Sequence, residues 1–160
     1  MALSVMQDFF GVDWPLGFVS VANNGTPVGI MKNVDPNNNW APGTDAGGPS
    51  GNNANKAEYT PTTHKIFFQG YHPGTNNNGM VVNSGYVYIL RKTGPTGNNA
   101  GGPMNREDSG AIVQILPPGG QAILPADEYD GPTISPYRYM LDVDVDGEGA
   151  LVTLIGAARG

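Results

Sequence analysis

The sequence predicts an all-β fold: a jelly-roll-like or related β-sandwich of about eight strands with long Asn-, Gly- and Pro-rich loops. Three observations carry that expectation. The 160 residues include 24 Gly, 14 Pro and 16 Asn. Gly supplies positive φ, Pro fixes φ, and Asn tolerates the left-handed region, so this is turn chemistry in quantity. Between the turn clusters lie short runs rich in Val, Ile, Tyr and Phe, the residues that β-structure favours. No long stretch shows the three-to-four spacing of an amphipathic helix, and the best helical candidate, Leu3 to Phe10, is short. A chain of this length has room for one domain with a sizeable core. Residues 1–160 are therefore read as a single domain, with 1–16 as an apolar N-terminal arm and 32–63 as a long loop insertion.

The elements follow in order. The arm carries Leu3, Val5, Met6, Phe9, Phe10, Trp14 and Leu16 ahead of the first strand. Left free, that many large apolar groups would invite aggregation, so the arm is expected to be buried on its own domain or on a neighbour. Strands are predicted at Gly17 to Ala22 and Thr26 to Met31, with "NNG" (Asn23 to Gly25) between them as a hairpin turn. Further strands are predicted at His64 to Tyr71 and Gly85 to Lys92. "GAIVQIL" (Gly110 to Leu116) is broken by "PPGG" before Gln121 to Ala126. The last two, Tyr137 to Val145 and Ala150 to Ala157, are read as a hairpin closed by "DGEG". Val19, Val21, Ile66, Phe68, Val87, Ile89, Ile112, Ile115, Leu141, Val143, Val152 and Leu154 are the expected core. Three links, Lys32 to Thr63, His72 to Ser84 and Thr93 to Ser109, are too long for plain hairpins. The longest holds Trp40 and Tyr59, poor residues for a free linker, so part of it should pack on something.

Charge and composition exclude several function classes. Charged residues are only 14% of the chain, the net charge is −6 and the pI is about 4.6. The eight Lys and Arg are scattered, so there is no basic footprint for nucleic acid. There is no cysteine, which removes disulfides, thiolate metal sites and cysteine nucleophiles. Asp8 and Asp13 interrupt the apolar start and no basic n-region precedes it, so neither a signal peptide nor a membrane span is expected. "NGT" at Asn24 matches a glycosylation acceptor, but without an export signal it is read as a turn.

The strongest metal candidate is "LDVDVDGEGALV", where Asp142, Asp144 and Asp146 precede Gly147. A calcium loop that starts at Asp142 has its Gly correctly at the sixth position but Thr153 at the twelfth, where a bidentate Glu belongs. Alternation puts Leu141, Val143 and Val145 on one strand face and the three Asp on the other. The stretch is read as a hairpin with a solvated acidic face, with a cation held in some other geometry as the competing reading. His64 and His72 flank one strand eight residues apart and read as strand-end polar residues. No Ser lies in a nucleophile-elbow pattern, and no Gly-rich stretch ends as a phosphate loop does. Nothing singles out a glycosidase pair among Glu107, Asp108, Asp127, Glu128 and Asp130. No catalytic residue, no metal ligand and no cofactor is assigned.

Five segments, read together, carry a resemblance: "GFVSVANNGTPVGIM", "KIFFQGYHPGT", "GYVYILRK", "ILPPGGQAILPA" and "YMLDVDVDGEGALVTLIGA". Their order resembles small β-sandwich virion structural proteins of tailed bacteriophages, of the capsid decoration (cement) type. The resemblance spans most of the strands, although the insertions at Lys32 to Thr63 and Thr93 to Ser109 are longer than the pattern. It implies a non-enzymatic protein of the capsid surface, made in the host cytoplasm and not secreted. It also implies the major capsid protein as partner and self-association as a homotrimer, without nucleic acid or membrane. Phe9, Phe10, Trp14, Trp40 and Tyr59 are the candidate partner contacts. The alternative is a carbohydrate- or receptor-binding module that stacks sugars on aromatics such as Trp40 or Tyr71.

Overall fold

The computed structural model describes residues 12–30, 32–34, 40–42, 62–75, 79–91, 105–108, 110–129, 131–134 and 136–157. The described chain is mostly antiparallel β-structure, with almost no helix. Its strands are β1 (Val12–Ser20), β2 (Val28–Gly29), β3 (Lys32–Val34), β4 (Trp40–Pro42), β5 (Thr62–Gln69) and β6 (Tyr71–Pro73). They continue as β7 (Met80–Val82), β8 (Val87–Arg91), β9 (Ile112–Leu116), β10 (Gln121–Pro125), β11 (Tyr139–Val143) and β12 (Gly149–Ala157). The helical elements among the described residues include one turn, Ala126–Tyr129, and a 3-10 turn, Pro136–Arg138.

Two four-stranded sheets dominate, in the orders β1-β12-β5-β10 and β2-β11-β8-β9. Two ribbons, β3-β4 and β6-β7, complete the set. One hydrophobic cluster draws on both large sheets. Val19, Ile66, Phe68, Leu124, Val152 and Leu154 come from the first, and Val87, Ile89, Leu116, Tyr139, Leu141 and Val143 from the second. Inward residues spaced by two on each strand make this core, as the alternation predicts.

Ten of the twelve expected core residues are buried. Ile112 and Ile115 are not. The pairing of β8 with β9 slips between Ile89 and Leu90, which inserts an extra residue into β9 and shifts its alternation. Ile115 then sits opposite Tyr88, on the face away from the main core, and is 48% exposed. Ile112 sits opposite Leu90 and packs, half-buried, against a smaller cluster of Leu90, Ala111 and Met140 on that same face.

Both expected hairpins are corrected. β1 and β2 belong to different sheets, so "NNG" carries the chain from one sheet to the other. β11 and β12 likewise belong to different sheets, and "DGEG" is a second such corner. The two corners lie together: Val21 N–H donates to the Glu148 carbonyl at 2.9 Å, and Gly147 N–H donates to the Val21 carbonyl at 2.8 Å. Gly149 allows this approach, because a Cβ there would overlap the Val19 carbonyl.

The first strand begins five residues before its predicted start. Val12 to Leu16, assigned to the arm, are the first half of β1, paired with β12. The expected 32–63 loop contains the β3-β4 ribbon, and Thr62 and Thr63 already belong to β5.

Candidate functional site

The polar chemistry of the described chain gathers where the two corners meet. β11 is buried along its whole length, so Asp142, expected on a solvated face, is 1% exposed. Its neighbours on that side of the sheet include Met140 and Tyr88. What covers it is Arg106, from the link between β8 and β9. Arg106 Nε lies 2.8 Å from Asp142 Oδ2, and Nη1 lies 2.9 Å from Asp144 Oδ1. Nη2 donates to Asn24 Oδ1, and the guanidinium stands 4.4 Å from the centre of the Tyr88 ring. A planar fork with several donors and a face that stacks on aromatics suits this position better than an ammonium would.

Further hydrogen bonds hold the aspartates. Asp142 Oδ1 accepts from Gly25 N at 2.9 Å and from Val143 N at 2.8 Å. Asp144 Oδ2 accepts from the Tyr88 hydroxyl at 3.2 Å, and Asp146 Oδ1 accepts from Asn24 N at 2.7 Å. Asn24 Nδ2 donates to the Asp144 carbonyl at 2.9 Å. Burial works against the charge of Arg106, but its bond to Asp144 and the nearby charge of Asp142 outweigh that and raise its proton affinity. Burial also raises the Tyr88 pKa, and the Asp144 carboxylate raises it further against the opposing pull of Arg106. The acidic stretch is thus a clamp around one cation, not a solvated face.

A second carboxylate closes the other side of the corner. Glu148 is buried, and its oxygens accept from Ser84 N at 2.7 Å, Ser84 Oγ at 3.0 Å and Gly85 N at 2.9 Å. His72 Nδ1 lies 3.7 Å away and is 2.9 Å from Asn83 Oδ1. Asn83 Nδ2 in turn donates to the Gly149 carbonyl at 2.6 Å. Burial alone would raise the Glu148 pKa, yet the bonds from Ser84 and Gly85, with His72 beside them, hold it below its ordinary value. Such a group stays ionised near neutrality and serves as an anchor for the β7–β8 link.

Of the predicted partner contacts, Phe9, Phe10 and Tyr59 lie outside the described residues. Trp14 is in β1 opposite Leu154, and Trp40 is in β4 opposite Val34; their side chains also lie outside the described set. His64 Nδ1 lies 3.3 Å from the carbonyl of Pro132, 68 residues further along the chain. Asp127 and Glu128 sit on the helical turn after β10, whereas Asp108 closes the turn at Asn105 by accepting from its N–H at 2.8 Å. Among the described residues, no three His, Asp or Glu side chains are grouped to hold a metal ion. Arg106, Asn24 and Glu148 were missed by the sequence reading. The one available signal was electrostatic: three alternating aspartates on a strand need a cation if they are to be buried.

No family model, no curated protein and no solved structure matches this chain.

Proposed function

We propose that this chain is a non-enzymatic virion structural protein, a decoration protein that binds and stabilises an assembled phage head, built on a jelly-roll sandwich. The strand order is the observation that carries the reading. Numbered one to eight along the chain, the strands of the two large sheets run 1-8-3-6 and 2-7-4-5. Strand one pairs with eight, two with seven, three with six and four with five, all antiparallel. That is one long antiparallel ribbon rolled up so that alternate pairs fall in alternate sheets. That order supports a jelly roll, an architecture used by viral capsid domains, lectins and cupins. A shared core drawn from both sheets supports the sandwich.

Fold alone does not give function. Two further features favour assembly. The carboxylates of the acidic corner are occupied by Arg106 and by backbone N–H groups, which leaves them as structural clamps. Apolar side chains stand exposed on the β6-β7 ribbon (Met80, Val81, Val82) and on the sheet-edge strands β9 and β10 (Ile115, Ile123). Surface of that kind suits burial against a protein partner, and it fits self-association as a homotrimer. The resemblance in the strand segments points the same way.

The test is co-sedimentation of the purified chain with assembled tailed-phage heads, beside unassembled head protein and a glycan array. Saturable binding to assembled heads alone is expected. Binding to a sugar without binding to heads would replace this reading with the lectin-like one.

A further inference from the structure

We propose that Asn24 is a deamidation site gated by Arg106: closed while the corner is intact and reactive once the guanidinium leaves. Asn24–Gly25 is one of two Asn–Gly pairs in the chain, the other being Asn78–Gly79. In such pairs the Gly nitrogen, unshielded by a side chain, attacks the Asn Cγ. The N–H proton is lost to solvent base, the Cγ–Nδ2 bond breaks and ammonia departs, which leaves a cyclic imide. Water then adds to one of its two carbonyls and gives aspartate or isoaspartate. One water is consumed, one ammonia is released, and nothing is oxidised or reduced.

Every atom in that sequence is held in the corner. The nucleophile, Gly25 N, donates its proton to Asp142 Oδ1 at 2.9 Å. Deprotonating it would set a second anion beside a buried carboxylate. The electrophile is held at both ends, because Nδ2 donates to the Asp144 carbonyl at 2.9 Å and Oδ1 accepts from Arg106 Nη2. Swinging Cγ onto Gly25 N requires both contacts to break. Arg106 is the removable part, since its side chain reaches the corner from another link.

The product discourages closure. A carboxylate at position 24 cannot donate to the Asp144 carbonyl, and it adds a third acidic group to Asp142 and Asp144 around one guanidinium. Isoaspartate also lengthens the backbone inside the turn that Thr26 N closes on the Asn23 carbonyl. Conversion is therefore one-way, and it loosens the joint between the two sheets.

Peptide mapping by mass spectrometry reads the site directly. The purified chain is held in warm, mildly alkaline buffer, native and in guanidinium. In guanidinium both Asn–Gly pairs should convert at matching rates. In the native protein Asn24 should convert more than about tenfold more slowly, following the small population of the open corner. Arg106→Gln, and the milder Arg106→Lys, should move the native rate of Asn24 toward the denatured one. Asn24→Asp should lower the denaturation midpoint. Native conversion as fast as in guanidinium would overturn the gate. So would a folded Arg106→Lys or Arg106→Gln that converts as slowly as the parent.

Discussion

Asp142 shows what a single residue meets when the period-two pattern is followed faithfully but its far face is not empty. Its side chain points away from the main core, as the alternation of "LDVDV" requires, and is still buried because Arg106 lies over it. Removing one member of a buried pair leaves the other uncompensated. Arg106→Gln should therefore destabilise the protein by about 3 kcal/mol in urea unfolding, the low end for such losses because the guanidinium is partly exposed. Adding Asp142→Asn to that variant should recover part of the loss, since no buried charge is then stranded; a double variant less stable than the single would contradict the pairing. Glu148 supplies a pH test. Its folded pKa is depressed, so its contribution is present above its ordinary value of about 4.5 and is lost as pH falls through the lower, folded value. Stability measured from pH 6 down to about pH 3 should fall less steeply in Glu148→Gln than in the parent, although Glu148→Gln starts lower.

At the scale of elements, the strands were legible and their partners were not. Val19, Val21, Ile66, Phe68, Leu141 and Val143 could be placed in a core because alternation is a local property of a strand. "NNG" and "DGEG" read as hairpin turns because their residues suit any tight reversal. Whether a turn joins neighbours in one sheet or crosses to another depends on strands distant in sequence. Here β12 takes the place beside β1, and β11 the place beside β2, so both turns become corners. The bulge in β9 was hidden for the same reason, because it exists only relative to β8. The joint between corners should be intolerant of added volume. Gly149→Ala would drive a methyl group into the Val19 carbonyl, and about 2–3 kcal/mol of destabilisation is expected, with early loss of amide protection in β1. A neutral Gly149→Ala would show that β1 can shift freely.

For the whole molecule, the question is which surfaces are left for a partner. Ile115 and Ile123 stand on strands β9 and β10, each at the edge of its sheet and next to each other in the chain. Replacing both by Glu should change unfolding stability by no more than about 0.5 kcal/mol per site, because neither supports the core. If copies associate through this side, the same variant should lower the mass seen in light scattering; an unchanged oligomer would place the contact elsewhere. Residues 1–11 precede the first described strand and carry Phe9 and Phe10. On the proposed decoration role, their removal should leave the melting temperature close to that of the full chain and weaken binding to phage heads. Each lost aromatic anchor is worth about 1.5–3 kcal/mol where it is buried, and the loss is multiplied when several copies bind together. Truncated protein that still decorates heads at full occupancy would rule the arm out as an anchor.

By itself, the sequence determined the class of structure and the identity of most core residues. Gly, Pro and Asn in such number forbid long helices, and period-two apolar runs mark strand faces wherever they occur. It also determined that no thiol chemistry takes place here, since there is no cysteine. Only the tertiary structure decided that the strands fall in the orders 1-8-3-6 and 2-7-4-5, that two tight turns are corners, and that Asp142 of β11 and Asp144 just beyond it close on Arg106. The physical reason is range. Backbone propensity and alternation act over a few residues and are written locally. Strand partners, and the group that neutralises a buried charge, are chosen by contacts such as those of Arg106 with Asp142 and Asn24, which no local spacing encodes.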